Sequence, residues 1–225
     1  MKNLKIAVAC TFFLAVLAVA ASAQMGMGMR QSPIPHGVFS PVVGSGAAYE
    51  ITTSDGRKTN IEYAIVGKES VNGKDAYWME WTTTGMGPGP MVMKMLTTAG
   101  DSTITSRTIM QMPGRPPMEM TSQMTSRMNN QSVASDIRST AEDVGSESVT
   151  VPAGTFACEH YRMKDGSGDT WVSTKVNPFG VVKHQGKDST MVLTKVITDA
   201  KDKIVGTPVP FNPMQMMQQM HPPTE

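Results

Sequence analysis

Methionine is the residue whose number and spacing suggest chemistry. The 225-residue chain holds 21 of them, and 17 fall in clusters: Met25, Met27 and Met29; Met86, Met91, Met93 and Met95; Met110, Met112, Met118 and Met120; Met124 and Met128; and Met214, Met216, Met217 and Met220 beside His221. Thioether sulfur is a soft ligand, and two or three such groups with an imidazole suit Cu(I) or Ag(I). Met91, Met93 and Met95 share a face if their segment is a strand, because residues two apart project to the same side. Hairpin pairing about Gly100-Asp101 would set residue 91 opposite residue 110 and bring Met110 and Met112 to that face. The metal-binding alternative therefore comprises Met91, Met93, Met95, Met110, Met112, Met216, Met217, Met220 and His221, with copper as the ion.

The same side chains have a second use. Methionine is flexible and polarizable and fills irregular apolar surface. Tyr77, Met79 and Trp81 alternate along their own segment, with Trp78 opposite. An M-x-M spacing is of low specificity. The favoured reading is thus an apolar lining built from Tyr77, Met79, Trp81, Met91, Met93, Met95, Met110 and Met112, with no cofactor and no metal.

Other chemistry is sparse. Cys158 and His160 lie two apart and would share a strand face, but His36, His184 and His221 are dispersed and a closed zinc site needs four ligands. Cys158 reads as a small buried hydrophobe. No G-x-S-x-G, H-E-x-x-H, P-loop or dinucleotide fingerprint occurs, and no acid/base pair is suggested by spacing, so the chain is read as non-enzymatic.

The elements that must position these residues are strands. From Gly46 to Val205 apolar residues recur at a period near two, with Thr, Val, Ile, Tyr and Trp abundant. Asp55-Gly56, Asn72-Gly73, Gly100-Asp101, Asp165-Gly166 and Gln185-Gly186 supply turn chemistry at matching intervals. Ile61, Tyr63 and Ile65 describe a packed face, as do Met191, Leu193 and Ile197. About eight to ten antiparallel strands are expected, in a single curved sheet or half-open barrel of meander hairpins. At most one short helix is expected, over Ser135–Val144, with Gly145 as its stop.

The ends read differently. Lys2 and Lys5, the apolar run Ile6–Ala21 and Ala21-Ser22-Ala23 make residues 1–23 a secretory signal peptide, so export is expected, to a periplasmic or extracellular place and most simply the Gram-negative periplasm, with no membrane span after cleavage. Residues 24–45 read as a flexible lead-in, 46–205 as the β domain, and 206–225, rich in Pro, Met and Gln, as a disordered tail. A formal charge of +1 over the whole chain offers no basic patch for nucleic acid. One cysteine remains beyond the leader, so no internal disulfide is possible.

The stretch Val149–Cys158 (VTVPAGTFAC), then Asp169–Ser173 (DTWVS) and Pro178–Lys183 (PFGVVK) resembles uncharacterised secreted bacterial β-rich families whose hairpins run VPAGTF, W-V-S and G-V-V-K. These are distantly similar to the periplasmic lipoprotein carriers. The resemblance implies an open half-barrel in the cell envelope and carries no catalytic residues. Together these readings lead to an exported envelope protein that binds a lipid, an acyl chain or a protein partner on the concave side of its sheet. Its oligomeric state has no signature in the sequence.

Overall fold

Hairpins form where the sequence supplies positive φ. Asn72 and Gly73 adopt φ of 52° and 76°, the left-handed pair whose twist matches that of the flanking strands, and join β2 (Lys58–Val71) to β3 (Lys74–Thr84). Gly56 closes the turn from β1 (Gly46–Thr53) into β2. The computed structural model describes residues 37–85, 88–98, 105–129 and 136–212. Its further strands are β4 (Met91–Thr98), β5 (Thr105–Gln111), β6 (Met118–Glu119), β7 (Ala141–Val151), β8 (Gly154–Met163), β9 (Gly168–Val172), β10 (Val181–Gly186), β11 (Ser189–Ile197) and β12 (Val209–Pro210).

All twelve belong to one curved, open sheet in the order β12-β6-β5-β4-β3-β2-β1-β11-β10-β9-β8-β7. The meander is thus two meanders, β1 to β6 and β7 to β11, joined by antiparallel pairing of β1 with β11. The pair β12–β6 is parallel. The sheet curls at its β7 end. There the turn residue Ala153 donates its backbone N–H to the Leu193 carbonyl at 3.3 Å, although β7 and β11 are four places apart in the sheet.

The face inside this curl carries the main core, which includes Tyr49, Tyr63, Met79, Met93, Met110 and Leu193. The outer face carries a smaller cluster of Ala76, Trp78, Leu96 and Ile109. A third cluster packs Ile137, Ala141, Tyr161, Met163 and Val172 beneath Val38.

Several expectations are corrected. Two short helices occur, α1 (Ser122–Asn129) and α2 (Ile137–Thr140), where at most one was expected. The Thr121 hydroxyl accepts the Met124 N–H and so starts α1, whose sequence SQMTSRMN lacks an apolar stripe. The helix expected over 135–144 shrinks to the four residues of α2, capped by Asp136 through the Arg138 N–H. Gly145 is no stop. It lies inside β7, at φ 126°, where the β7–β8 register shifts between Asp143 and Gly145.

Gln185 and Gly186 belong to β10 rather than to its turn. The β1–β11 register shifts between Ala48 and Tyr49, and beyond that shift Val196, not Ile197, joins the inner core. Met110 pairs with Met93, not with residue 91. A slide of two keeps every side chain on its face.

Both flanking segments pack where they are described. Val38 and Ser40 donate to the carbonyls of Phe179 and Pro178, so the lead-in is docked from Gly37 onward. A Cβ at Gly37 would lie 2.0 Å from the Phe179 oxygen, which only glycine tolerates. After β11 an extended strap crosses the outer face. The Ala200 N–H bonds to Gly44, Lys203 reaches Glu62 and Glu80, Asp202 pairs with Lys94, and Val205 exchanges two hydrogen bonds with the Gln111 amide. The tail's first residues then give β12, with Phe211 donating to Glu119. The leader, 24–36 and 213–225 lie outside the described residues. Among those described, no helix is long and apolar enough to cross a membrane.

Candidate functional site

Register places the expected lining residues in a lattice on the inner face. Met79 pairs with Met95, which pairs with Thr108; Trp81 pairs with Met93, which pairs with Met110; and Thr83 pairs with Met91. Met79, Trp81, Met93, Met95 and Met110 are buried, while Tyr77, Met91 and Met112 are half-buried against the same cluster. All eight expected residues therefore come together. Met118, Met120 and, from α1, Met124 extend the surface. Met216, Met217, Met220 and His221 lie outside the described residues.

Two polar groups interrupt this apolar lattice. The Trp81 indole nitrogen and the Thr108 hydroxyl are buried with no hydrogen-bond partner among the described residues, in residues that are 8% and 0% exposed. A buried donor left unpaired costs roughly 1–3 kcal/mol, so each is a point where an incoming acceptor oxygen would gain. Pattern alone does not reveal them, since Thr108 reads as an ordinary strand residue.

Toward the centre of the sheet the lattice is bounded by aromatics. Tyr63 meets Tyr49, Trp81 and Phe179 edge to face, with centroids 5.5–6.5 Å apart, and Phe39 of the lead-in packs on Phe179. The Tyr49 hydroxyl donates to the Val181 carbonyl at 2.9 Å, and burial drives its pKa far above the ordinary tyrosine range. This wall is closed packing.

The pair Cys158 and His160 behaves as two unrelated residues. Cys158 is 3% exposed and its thiol reaches the Phe156 carbonyl; burial pushes its pKa up to about 11, so it is not a thiolate at neutral pH. His160 is stacked on Trp171 at 4.5 Å, with Nε2 2.7 Å from Asp169 and Nδ1 3.3 Å from Glu147. The Trp171 indole N–H donates to Glu147. Burial would raise the Asp169 pKa, but hydrogen bonds from His160 and Arg162 hold it below the usual carboxylate value. The cluster is self-satisfied and fastens β7, β8 and β9 together. Among the described residues, no group of three or more His, Cys, Asp or Glu side chains could hold a metal.

A cleft of about 450 Å³ lies elsewhere, beside α2. The middle of β8 (Ala157–Glu159) forms one wall, the end of β9 and the loop after it another, and Val38 and Ser40 of the lead-in a third. Sequence reasoning missed it because the lead-in wall, Val38 and Ser40, is more than a hundred residues from the other two.

No family model and no curated protein matches the chain. Among solved structures, a presumed exported protein with a YmcC-like fold from Bacteroides fragilis is similar at 13% identity and TM-score 0.35, over 71% of this chain and 99% of that one. A presumed lipoprotein from Parabacteroides distasonis is similar at 16% identity and TM-score 0.34, over 71% and 98%. These are likenesses of weak superposition, below the level at which fold family or activity transfers.

Proposed function

We propose that the protein is an exported, non-enzymatic binding protein of the cell envelope whose inner β3–β5 face receives an apolar ligand bearing an acceptor oxygen, such as an acyl chain. One observation carries this reading: a contiguous thioether and aromatic lattice encloses two donors, Trp81 Nε1 and Thr108 Oγ1, that no group of the described protein satisfies. Apolar lining with a few placed polar groups is the usual composition of a small-molecule site. Methionine suits it because its side chain repacks around ligands of different length. The leader at residues 1–23 supports export.

Titration with a fluorescent fatty acid tests the binding. Wild type should saturate, and Met→Leu at 91, 93, 95, 110 and 112 together should keep affinity within roughly threefold, because volume and polarity are nearly conserved. Glu at both half-buried positions, 91 and 112, should abolish it. A parallel Cu(I) competition distinguishes the soft-metal alternative: tight binding by wild type that vanishes in the five-Leu protein would replace the acyl reading with copper. Absence of fatty-acid binding by wild type would remove the acyl reading as well.

A further inference from the structure

We infer that the cleft beside α2 is a second binding site, separate from the β3–β5 lattice, and that its ligand is an uncharged peptide segment with a small apolar side chain. Its volume, about 450 Å³, lies within the roughly 300–1,000 Å³ of small-molecule sites. Its walls are fixed in place. Ser173 N–H bonds to the Gly180 carbonyl at 2.7 Å and Val176 N–H to the Ser173 carbonyl at 3.2 Å, while Val38 and Ser40 are tied to Phe179 and Pro178 across the loop. At Gly180 the backbone has φ 77° and a Cβ would lie 2.7 Å from the Val172 side chain, so the loop approaches the strand as closely as glycine allows.

Charge decides the ligand class. The two ionised groups in the cleft are already engaged: the Arg138 guanidinium with both oxygens of Asp136, and the Glu159 carboxylate with the Tyr161 hydroxyl at 2.7 Å. Each of these charges is already partly neutralised by its partner, and the two are of opposite sign, so the cleft offers a charged ligand little net attraction. Uncommitted polarity is neutral, since the side chains of Ser40, Ser146, Ser173, Thr174 and Asn177 make no hydrogen bond among the described residues. Hydroxyls and a carboxamide both donate and accept, which is what a peptide group, itself one donor and one acceptor, requires. Val38, Ala157, Val172 and Val176 supply apolar contact for one small side chain. Among the described residues no aromatic ring lines the cleft, so they offer no flat platform for a sugar ring to stack on.

N-acetylvaline amide is the probe, with free valine and glucose as comparisons, followed by amide resonances of the whole protein in two-dimensional NMR. Saturable shifts at Ser146, Ala157 and Thr174 with N-acetylvaline amide alone are expected. Ser173→Ala should weaken binding by about three- to tenfold, the loss of one neutral hydrogen bond. Ala157→Phe, at an exposed position on β8, should fill the cleft and abolish binding while the spectrum elsewhere stays that of the folded protein. Equal or tighter binding of valine or glucose, shifts located away from the cleft, or no saturation at the solubility limit of the probe would each overturn the inference. The wild-type map decides this even if Ala157→Phe fails to fold.

Discussion

Glu80 sits between Met79 and Trp81 on β3 yet projects to the other face, beneath the strap. It is 1% exposed, and its Oε2 accepts the Lys203 N–H at 3.0 Å. Burial pushes its pKa up to about 7 from an ordinary 4.5; the Lys203 amide pulls it down and the nearby Asp202 pushes it up again. The sign follows from which state holds the proton. Between pH 4.5 and 7 the folded chain keeps a proton that the unfolded chain has released, so stability contributed by this residue is full below pH 4.5 and falls as pH rises through 7, by about 3 kcal/mol in all. Glu80→Gln keeps the shape and removes the ionisation. Urea denaturation at pH 4.5, 6 and 7.5 should show the variant gaining steadily on wild type as pH rises; parallel pH profiles would refute the assignment. Alternation along β3 announced that residue 80 faces away from Met79. It could not announce burial, because the strap covering Glu80 has no period of its own.

Among the elements, those held by local chemistry were legible and those held by distant contacts were not. The β2–β3 hairpin follows from Asn72-Gly73, and the face shared by Met91, Met93, Met95 and Met110 follows from period two, which survives the slide of two residues in the β4–β5 register. The helix expected over Ser135–Val144 overruns the first residues of β7, Ala141–Val144, because SDIRSTAEDV has acids and a cap in helical order; their strand state is imposed by β8, to which β7 pairs from Ala141 to Val151. The strap shows the same dependence. A chain ending at Asp199 loses the Lys94–Asp202 and Glu62–Lys203 pairs and the packing of Ile204 on the Trp78 cluster. Surface ion pairs add little, whereas the half-buried Ile204 contributes a fraction of the roughly 1.5–3 kcal/mol that a fully buried Ile is worth, and its loss also uncovers Glu80. Truncation after Asp199 should therefore lower the urea midpoint clearly. Truncation after Gly206, which among the described residues forfeits β12 and the Phe211–Glu119 hydrogen bond, should shift it far less. Equal losses from the two truncations would show that β12 rather than the strap secures the outer face.

At the scale of the whole molecule, the two meanders share the main core, and each also carries one smaller cluster of its own. β1 is paired along its length on both sides, with Gly46–Thr53 matched to β11 and Gly46–Thr52 to β2, and the inner cluster joins Met79, Trp81, Met93 and Met110 of one half to Cys158, Val181, Met191 and Leu193 of the other. Breaking the β1–β11 seam would expose part of that cluster on each side, a loss that the smaller clusters of five and four buried residues do not offset. Unfolding should be a single transition, with calorimetric and van't Hoff enthalpies equal. The seam also joins residues far apart in sequence; the Thr194 hydroxyl, for example, reaches the Ala48 carbonyl. Chain closure over that span must precede the reward of pairing, which places folding in the slow range of β proteins, milliseconds to seconds. Glu50→Pro tests the seam directly. Glu50 lies opposite Val192 on one side and Asn60 on the other, and proline there removes a ladder donor from a central strand. One cooperative unit loses stability everywhere at once: hydrogen-exchange protection in β4 and in β9 should fall together. If β4 kept its protection while β9 lost it, the meanders would be independent, and a ligand held on the inner face of β3 to β5 could not stabilise the far end of the sheet.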